Sequence, residues 1–136
     1  MKIKTSDIEK MIRRTKRLNM KVIEENAPPT LNEYILECLN EKGVRRSKLI
    51  GMLNIDRNYG YQILNGTRTP TRRIIIQIGL ILGLEVSQVQ KMLTIAERDV
   101  LYVRRPEDAK IVHCLEHKFT YEESCEFIWG EVPIKT

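Results

Sequence analysis

The chain is punctuated for helices at short intervals, and this limits its fold more than any other feature. Three capping boxes stand in it: "SDIE" at Ser6 to Glu9, "TLNE" at Thr30 to Glu33 and "TYEE" at Thr120 to Glu123. In such a box the hydroxyl and the carboxylate three residues later each accept a backbone N–H that the first turn leaves without a partner. Gly43, Gly66, Gly83 and Gly130 stand where apolar periodicity stops, and glycine suits the left-handed residue that closes a helix. Apolar residues between these marks recur three and four apart. Ile8, Met11, Ile12, Leu18 and Val22 predict one first helix, ended by Asn26 and Pro28-Pro29. Leu31, Tyr34, Ile35, Cys38 and Leu39 predict a second. Short helices are expected over 46–53 and 57–65, then over 71–82 and 86–96, with Leu101 packing beyond. Pro106 suits the first turn of another, with Ala109, Ile111, Val112 and Leu115 as its apolar positions, and a last helix runs to Trp129. No segment alternates as a strand does, so the expected class is all-α.

At 136 residues the chain fits one domain of ordinary size. No apolar run approaches the ~20 residues needed to cross a bilayer. The first 26 residues are charged throughout and lack a signal-peptide apolar segment, so a cytoplasmic location is expected. Cys38, Cys114 and Cys125 are an odd set that forms no disulfide framework and reads as reduced thiols. The net charge of +5 is unevenly placed. Between Val44 and Arg73 lie Arg45, Arg46, Lys48, Arg57, Arg68, Arg72 and Arg73 against the single acid Asp56. Between Pro106 and Glu131 two lysines face seven acids. One part of the molecule would attract polyanions and another would repel them.

The basic window has the grammar of a helix-turn-helix. Two short helices flank a tight turn, Asp56 caps the second, and Leu49, Leu53, Ile55 and Ile63 fall where the pair needs apolar contacts. Asn54 stands at the turn, where a left-handed backbone favours Gly and then Asn. Residues 30–96 resemble the phage-repressor-like, XRE-type helix-turn-helix domain through "KLIGMLNIDRNYGYQILNGTRTPTRRIIIQIGLILGL", and above all through "YQILNGTRTP" followed by an apolar helix ending in "LGL". The segment "RRPEDAKIVHCLEHKFTYEESCEFIWGE" is similar to a tail that accompanies this domain in some bacterial regulators.

The resemblance implies a lambda-repressor-like bundle of five short helices whose second helix-turn-helix element enters the major groove of double-stranded DNA. Matched by position, Arg57, Asn58, Tyr61 and Gln62 would face base edges, where Arg can bond guanine twice and Gln or Asn adenine twice. Asn65, Thr67 and Arg68 would grip phosphate after that helix, with Arg46 and Arg72 as further phosphate contacts. It also implies a transcriptional regulator acting as a homodimer on a two-fold site. The expected organisation is an N-terminal amphipathic helix over 1–29 docking on the bundle, the DNA-binding domain over 30–96, and a helical extension over 97–136 offering a dimer or protein-partner surface. A fragment ending near Ala96 is expected to stay folded.

Three positions depart from the family pattern. Ile50 stands where a small residue is usual, Gly60 where a β-branched one is usual, and Asn54 where the turn glycine is usual. A glycine inside a short helix costs ~1 kcal/mol against alanine. The expectation is that bulk has crossed the helix–helix contact, with Ile50 filling the space that Gly60 leaves.

Other chemistries find less support. His113 and His117 share a helix face and Cys114 is close by, but a structural zinc site needs four converging ligands and Cys125 lies on another helix without a paired partner. No glycine-rich phosphate loop and no nucleophile–base grouping with supporting context occurs. No metal, cofactor or catalytic residue is therefore expected. The run "RRTKR" at Arg13 to Arg17 lacks the aromatic anchor of a membrane-surface helix. The competing functional reading is a protein-interaction adaptor that keeps this fold without binding DNA.

Overall fold

The computed structural model describes residues 3–133. Among them the chain is all helical, with nine helices and no strand: α1 Thr5–Arg14, α2 Met20–Glu25, α3 Leu31–Lys42, α4 Arg46–Leu53, α5 Arg57–Leu64, α6 Arg72–Leu82, α7 Val86–Ile95, α8 Pro106–Glu116 and α9 Tyr121–Trp129. From Leu31 onward the boundaries fall within a residue or two of the capping signals. Thr71 caps α6 by accepting from the Ile74 N–H. Asn54 closes α4 in the left-handed region at φ 54°. The box on α9 is complete, with Thr120 N–H donating to Glu123 Oε1 at 2.9 Å and Glu123 N–H to Thr120 Oγ1 at 3.1 Å. At α3 the box is half formed: Thr30 accepts from the Glu33 N–H, but the Glu33 carboxylate takes the Thr30 hydroxyl at 2.6 Å.

The N-terminal region departs from expectation. The single first helix is two, interrupted at Thr15, whose backbone is extended and whose hydroxyl donates to the Arg17 carbonyl at 2.9 Å. Four cations at 13, 14, 16 and 17 crowd this point, and Asn19 restarts the chain by accepting from the Val22 N–H. Ser6 is not the cap; α1 begins after Lys4, which makes no side-chain cap. Neither α1 nor α2 contains a buried residue, and Ile12 is half exposed. Asn26 ties the two ends of this arm together, accepting from the Ile3 N–H and donating to the Val22 carbonyl, both at 2.7 Å.

The core is built around α6, which packs against α3, α4, α7, α8 and α9. Its sequence "RRIIIQIGLIL" buries Ile74, Ile75, Ile76, Ile78, Gly79, Leu80 and Leu82, so it is apolar on nearly every side, as an enclosed helix must be. One buried cluster runs from Tyr34 to Ile128 and includes Leu101, Ile111, Cys114 and Leu115. The core is therefore continuous across position 96. Full burial of each aliphatic side chain contributes about 1.5–3 kcal/mol, so the extension supplies a large part of the stability of the whole.

Candidate nucleic-acid interface

Helices α4 and α5 pack on each other across a three-residue connection, Asn54 to Asp56. Asp56 caps α5, its carboxylate accepting from the Tyr59 N–H at 3.2 Å. Helix α5 turns Gly60, Ile63 and Leu64 inward. The helical period then sends 57, 58, 61 and 62 to the other face: Arg57 and Asn58 are exposed, Tyr61 and Gln62 half-buried. The Arg57 guanidinium lies 5.8 Å from the Tyr61 ring centre, which pre-orders both side chains on that face.

Gly60 faces Ile50. A Cβ at residue 60 would sit 2.7 Å from Ile50 Cγ2 and 2.8 Å from Cγ1, inside any real contact. Ile50 is buried, and its branched side chain occupies the volume that a residue at 60 would fill. The glycine inside α5 is thus the condition for the close approach of the two helices, as the Ile50–Gly60 pairing predicts.

The segment after α5 is held in shape from within. The Gln62 carbonyl accepts from the Thr67 and Arg68 N–H groups at 2.9 and 3.1 Å. Asn65 Oδ1 accepts the Thr67 N–H and hydroxyl at 2.9 and 2.5 Å. Gly66 has φ 86°, and a Cβ there would meet the Asn32 side chain at 2.9 Å. Asn65 and Thr67 are therefore first of all scaffold for this turn. Arg68 is exposed, with its guanidinium 5.3 Å from the Tyr59 ring centre. Arg46, in the first turn of α4, is exposed as well.

Arg72 does not behave as the sequence suggests. Its guanidinium donates to the carbonyls of Asp99 at 2.8 Å and Val100 at 3.3 Å, and to the Asp108 carboxylate at 3.0 Å. Asp108 is only 2% exposed, so this is an anchor between α6 and the extension rather than a phosphate contact. Arg73 is likewise engaged, paired with Glu131 and stacked 4.2 Å from the Trp129 ring centre. Asp108 is absent from the residues that motif reading marks, yet the sequence holds a signal for it. It stands three and seven residues before Ile111 and Leu115, on the apolar stripe of its helix, and a carboxylate in such a stripe requires a buried partner.

The acidity of the extension also has local causes. Asp108 is buried, Glu107 accepts from the Trp129 indole at 2.7 Å, Glu123 closes its capping box and Glu131 pairs with Arg73. Among the described residues only Glu116, Glu122 and Glu126 of the seven lack such an attachment. His113 and His117 have ring centres 4.3 Å apart and sit with Phe119 and Phe127. No three His, Cys, Asp or Glu side chains among the described residues converge as metal ligands. The three cysteines are buried, and burial raises each thiol pKa. No helix among the described residues is long and apolar enough to cross a membrane. No protein-family model, curated protein or solved structure matches this chain.

Proposed function

We propose that the chain is a sequence-specific DNA-binding transcriptional regulator with a lambda-repressor-like, XRE-type helix-turn-helix, acting in the cytoplasm as a homodimer on a two-fold site. The observation that carries this reading is the face of α5. Arg57, Asn58, Tyr61 and Gln62 share it, opposite the side buried against α4, and Arg46 and Arg68 flank it as exposed cations. Base-edge donors and acceptors bordered by phosphate-binding charge are the two components of groove recognition. Arg72 leaves the set of phosphate contacts because it is engaged within the molecule, as its neighbour Arg73 also is.

The test is a selection of bound fragments from random duplex DNA, followed by titrations on the selected and a scrambled duplex. Arg57→Ala and Gln62→Ala should each lose ~1–3 kcal/mol of discrimination between the two. Arg46→Ala and Arg68→Ala should weaken both alike and lower the slope of log K against log salt by ~0.9 for each phosphate left without its cation. A protein that enriches no sequence and binds no duplex would instead be an adaptor on the same scaffold.

A further inference from the structure

The segment from Arg98 to Arg105, between α7 and α8, is an irregular strap whose backbone is tightly held. Gln90 brackets Leu101, accepting its N–H at 2.7 Å and donating to its carbonyl at 2.9 Å. Asp108 accepts the Tyr102 N–H at 2.9 Å, and Arg72 donates to the Asp99 and Val100 carbonyls. The Arg105 N–H closes a turn on the Tyr102 carbonyl at 2.9 Å. Leu101 alone turns inward; Val100, Tyr102 and Val103 are 45, 50 and 62% exposed, and Arg98, Arg104 and Arg105 are exposed too. A fold that commits a buried carboxylate and a half-buried amide to fixing a loop, and then points its apolar and cationic side chains outward, has built a presenting surface.

The strap adjoins the segment that follows α5. The Arg98 guanidinium donates to the Pro70 carbonyl at 3.2 and 3.3 Å, and Arg72, the next residue but one, holds the strap from the other side. Its charge is cationic, three arginines against Asp99. We infer that the strap extends the DNA-binding face, with Arg104 and Arg105 neutralising backbone phosphates outside the groove that α5 reads and Tyr102 laying its ring and hydroxyl against the sugar-phosphate chain. This rests on the DNA-binding reading given above. The charge of the strap and its junction with the Thr67–Arg72 segment favour DNA over a protein partner, which an exposed Tyr and Val could otherwise suit.

The experiment measures binding of the full chain to a pool of random duplexes of about 30 base pairs across a salt series. Arg104→Gln with Arg105→Gln should lower the slope of log K against log salt by ~0.9 for each phosphate no longer neutralised, with about a tenfold or greater loss of affinity near physiological salt. Lys110→Gln with Lys118→Gln changes net charge equally on the extension and should leave the slope nearly unchanged. Equal losses in the two double variants would reduce the strap to net charge and overturn the inference. So would an unchanged slope in the arginine variant while Arg46→Ala and Arg68→Ala still weaken binding, which would leave the DNA-binding reading standing. No binding by the unaltered chain would sink both. Tyr102→Ser with Val103→Ser is followed by sedimentation: loss of self-association with unchanged DNA affinity would make the strap a protein contact and refute its assignment to DNA. All these side chains are exposed, so circular dichroism should show every variant folded.

Discussion

Ile50 and Gly60 share one site between α4 and α5, and neither can be changed without consequence for the other. Ile50→Ala should open a cavity and cost ~2–5 kcal/mol. Gly60→Val gains helix propensity but collides with Ile50, for a net cost of ~1–3 kcal/mol. The double variant exchanges large for small across the contact, so it should be more stable than the sum of the singles by a coupling of ~0.5–3 kcal/mol, read from urea melts of all four proteins. This site is legible in the sequence because a glycine in a helix is costly enough to demand a reason, and one residue on the facing helix is unusually large. Arg72 is not legible in the same way. Its neighbours in sequence are basic, and the group that claims it, Asp108, lies 36 residues away. Losing Asp108 leaves the Tyr102 N–H without its acceptor and takes from the Arg72 guanidinium its carboxylate partner, with only the Asp99 and Val100 carbonyls remaining to it. Asp108→Ala should therefore cost ~1.5–3 kcal/mol, measured by thermal or urea unfolding.

Helices that begin at Thr30, Asp56, Thr71 and Thr120 announce themselves because capping is a local transaction between residues three apart. Ends are less regular. Helices α7 and α8 are followed by Glu97 at φ 56° and Lys118 at φ 53°, left-handed positions with no glycine to mark them. Hydrogen bonds from Arg98 N–H to the Leu93 carbonyl and from Phe119 N–H to the Cys114 carbonyl close those ends instead. The N-terminal arm reads as one docked helix because its apolar spacing is helical throughout, while the break at Thr15 depends on crowded charge and a hydroxyl–carbonyl bond. With no buried residue in α1 or α2, removing residues 1–29 should leave the urea midpoint almost unchanged. Helix α9 carries a different signature. Burial pushes the Tyr121 hydroxyl up to about 12, against a smaller opposing effect of the hydrogen bond from Gln77 at 2.8 Å. A pKa raised above its unfolded value of 10.0 adds stability that is complete below pH 10 and is lost as pH rises toward 12. Tyr121→Phe should flatten that part of the stability profile, leaving the alkaline loss due to the buried thiols.

Across the whole molecule the buried cluster ignores the boundary that a family resemblance would draw at residue 96. Ending the chain there removes Leu101, Ile111, Cys114, Leu115 and Ile128 from the core and strips α6 of two packing partners. At about 1.5–3 kcal/mol for each large aliphatic residue, the loss rivals the ~5–15 kcal/mol that holds a typical domain together. The fragment should show helical ellipticity without a sigmoidal melt, contrary to the expectation that it stays folded. The bundle is visible in the sequence as a local pattern; its dependence on the extension is not, because that dependence consists of contacts between residues far apart along the chain. The seat of the extension on α6 also contains the chain's one tryptophan. The Trp129 indole is stacked on Arg73 from α6 and hydrogen-bonded to Glu107 from α8. Nature has in effect placed a single optical reporter at the junction of the two halves. Its emission will follow the parting of α6 from α8 and α9, while far-ultraviolet ellipticity follows the helices everywhere. In one cooperative unit the two signals trace the same denaturation curve, and an emission change that runs ahead of the ellipticity would show the extension lifting away while the remaining helices stay intact.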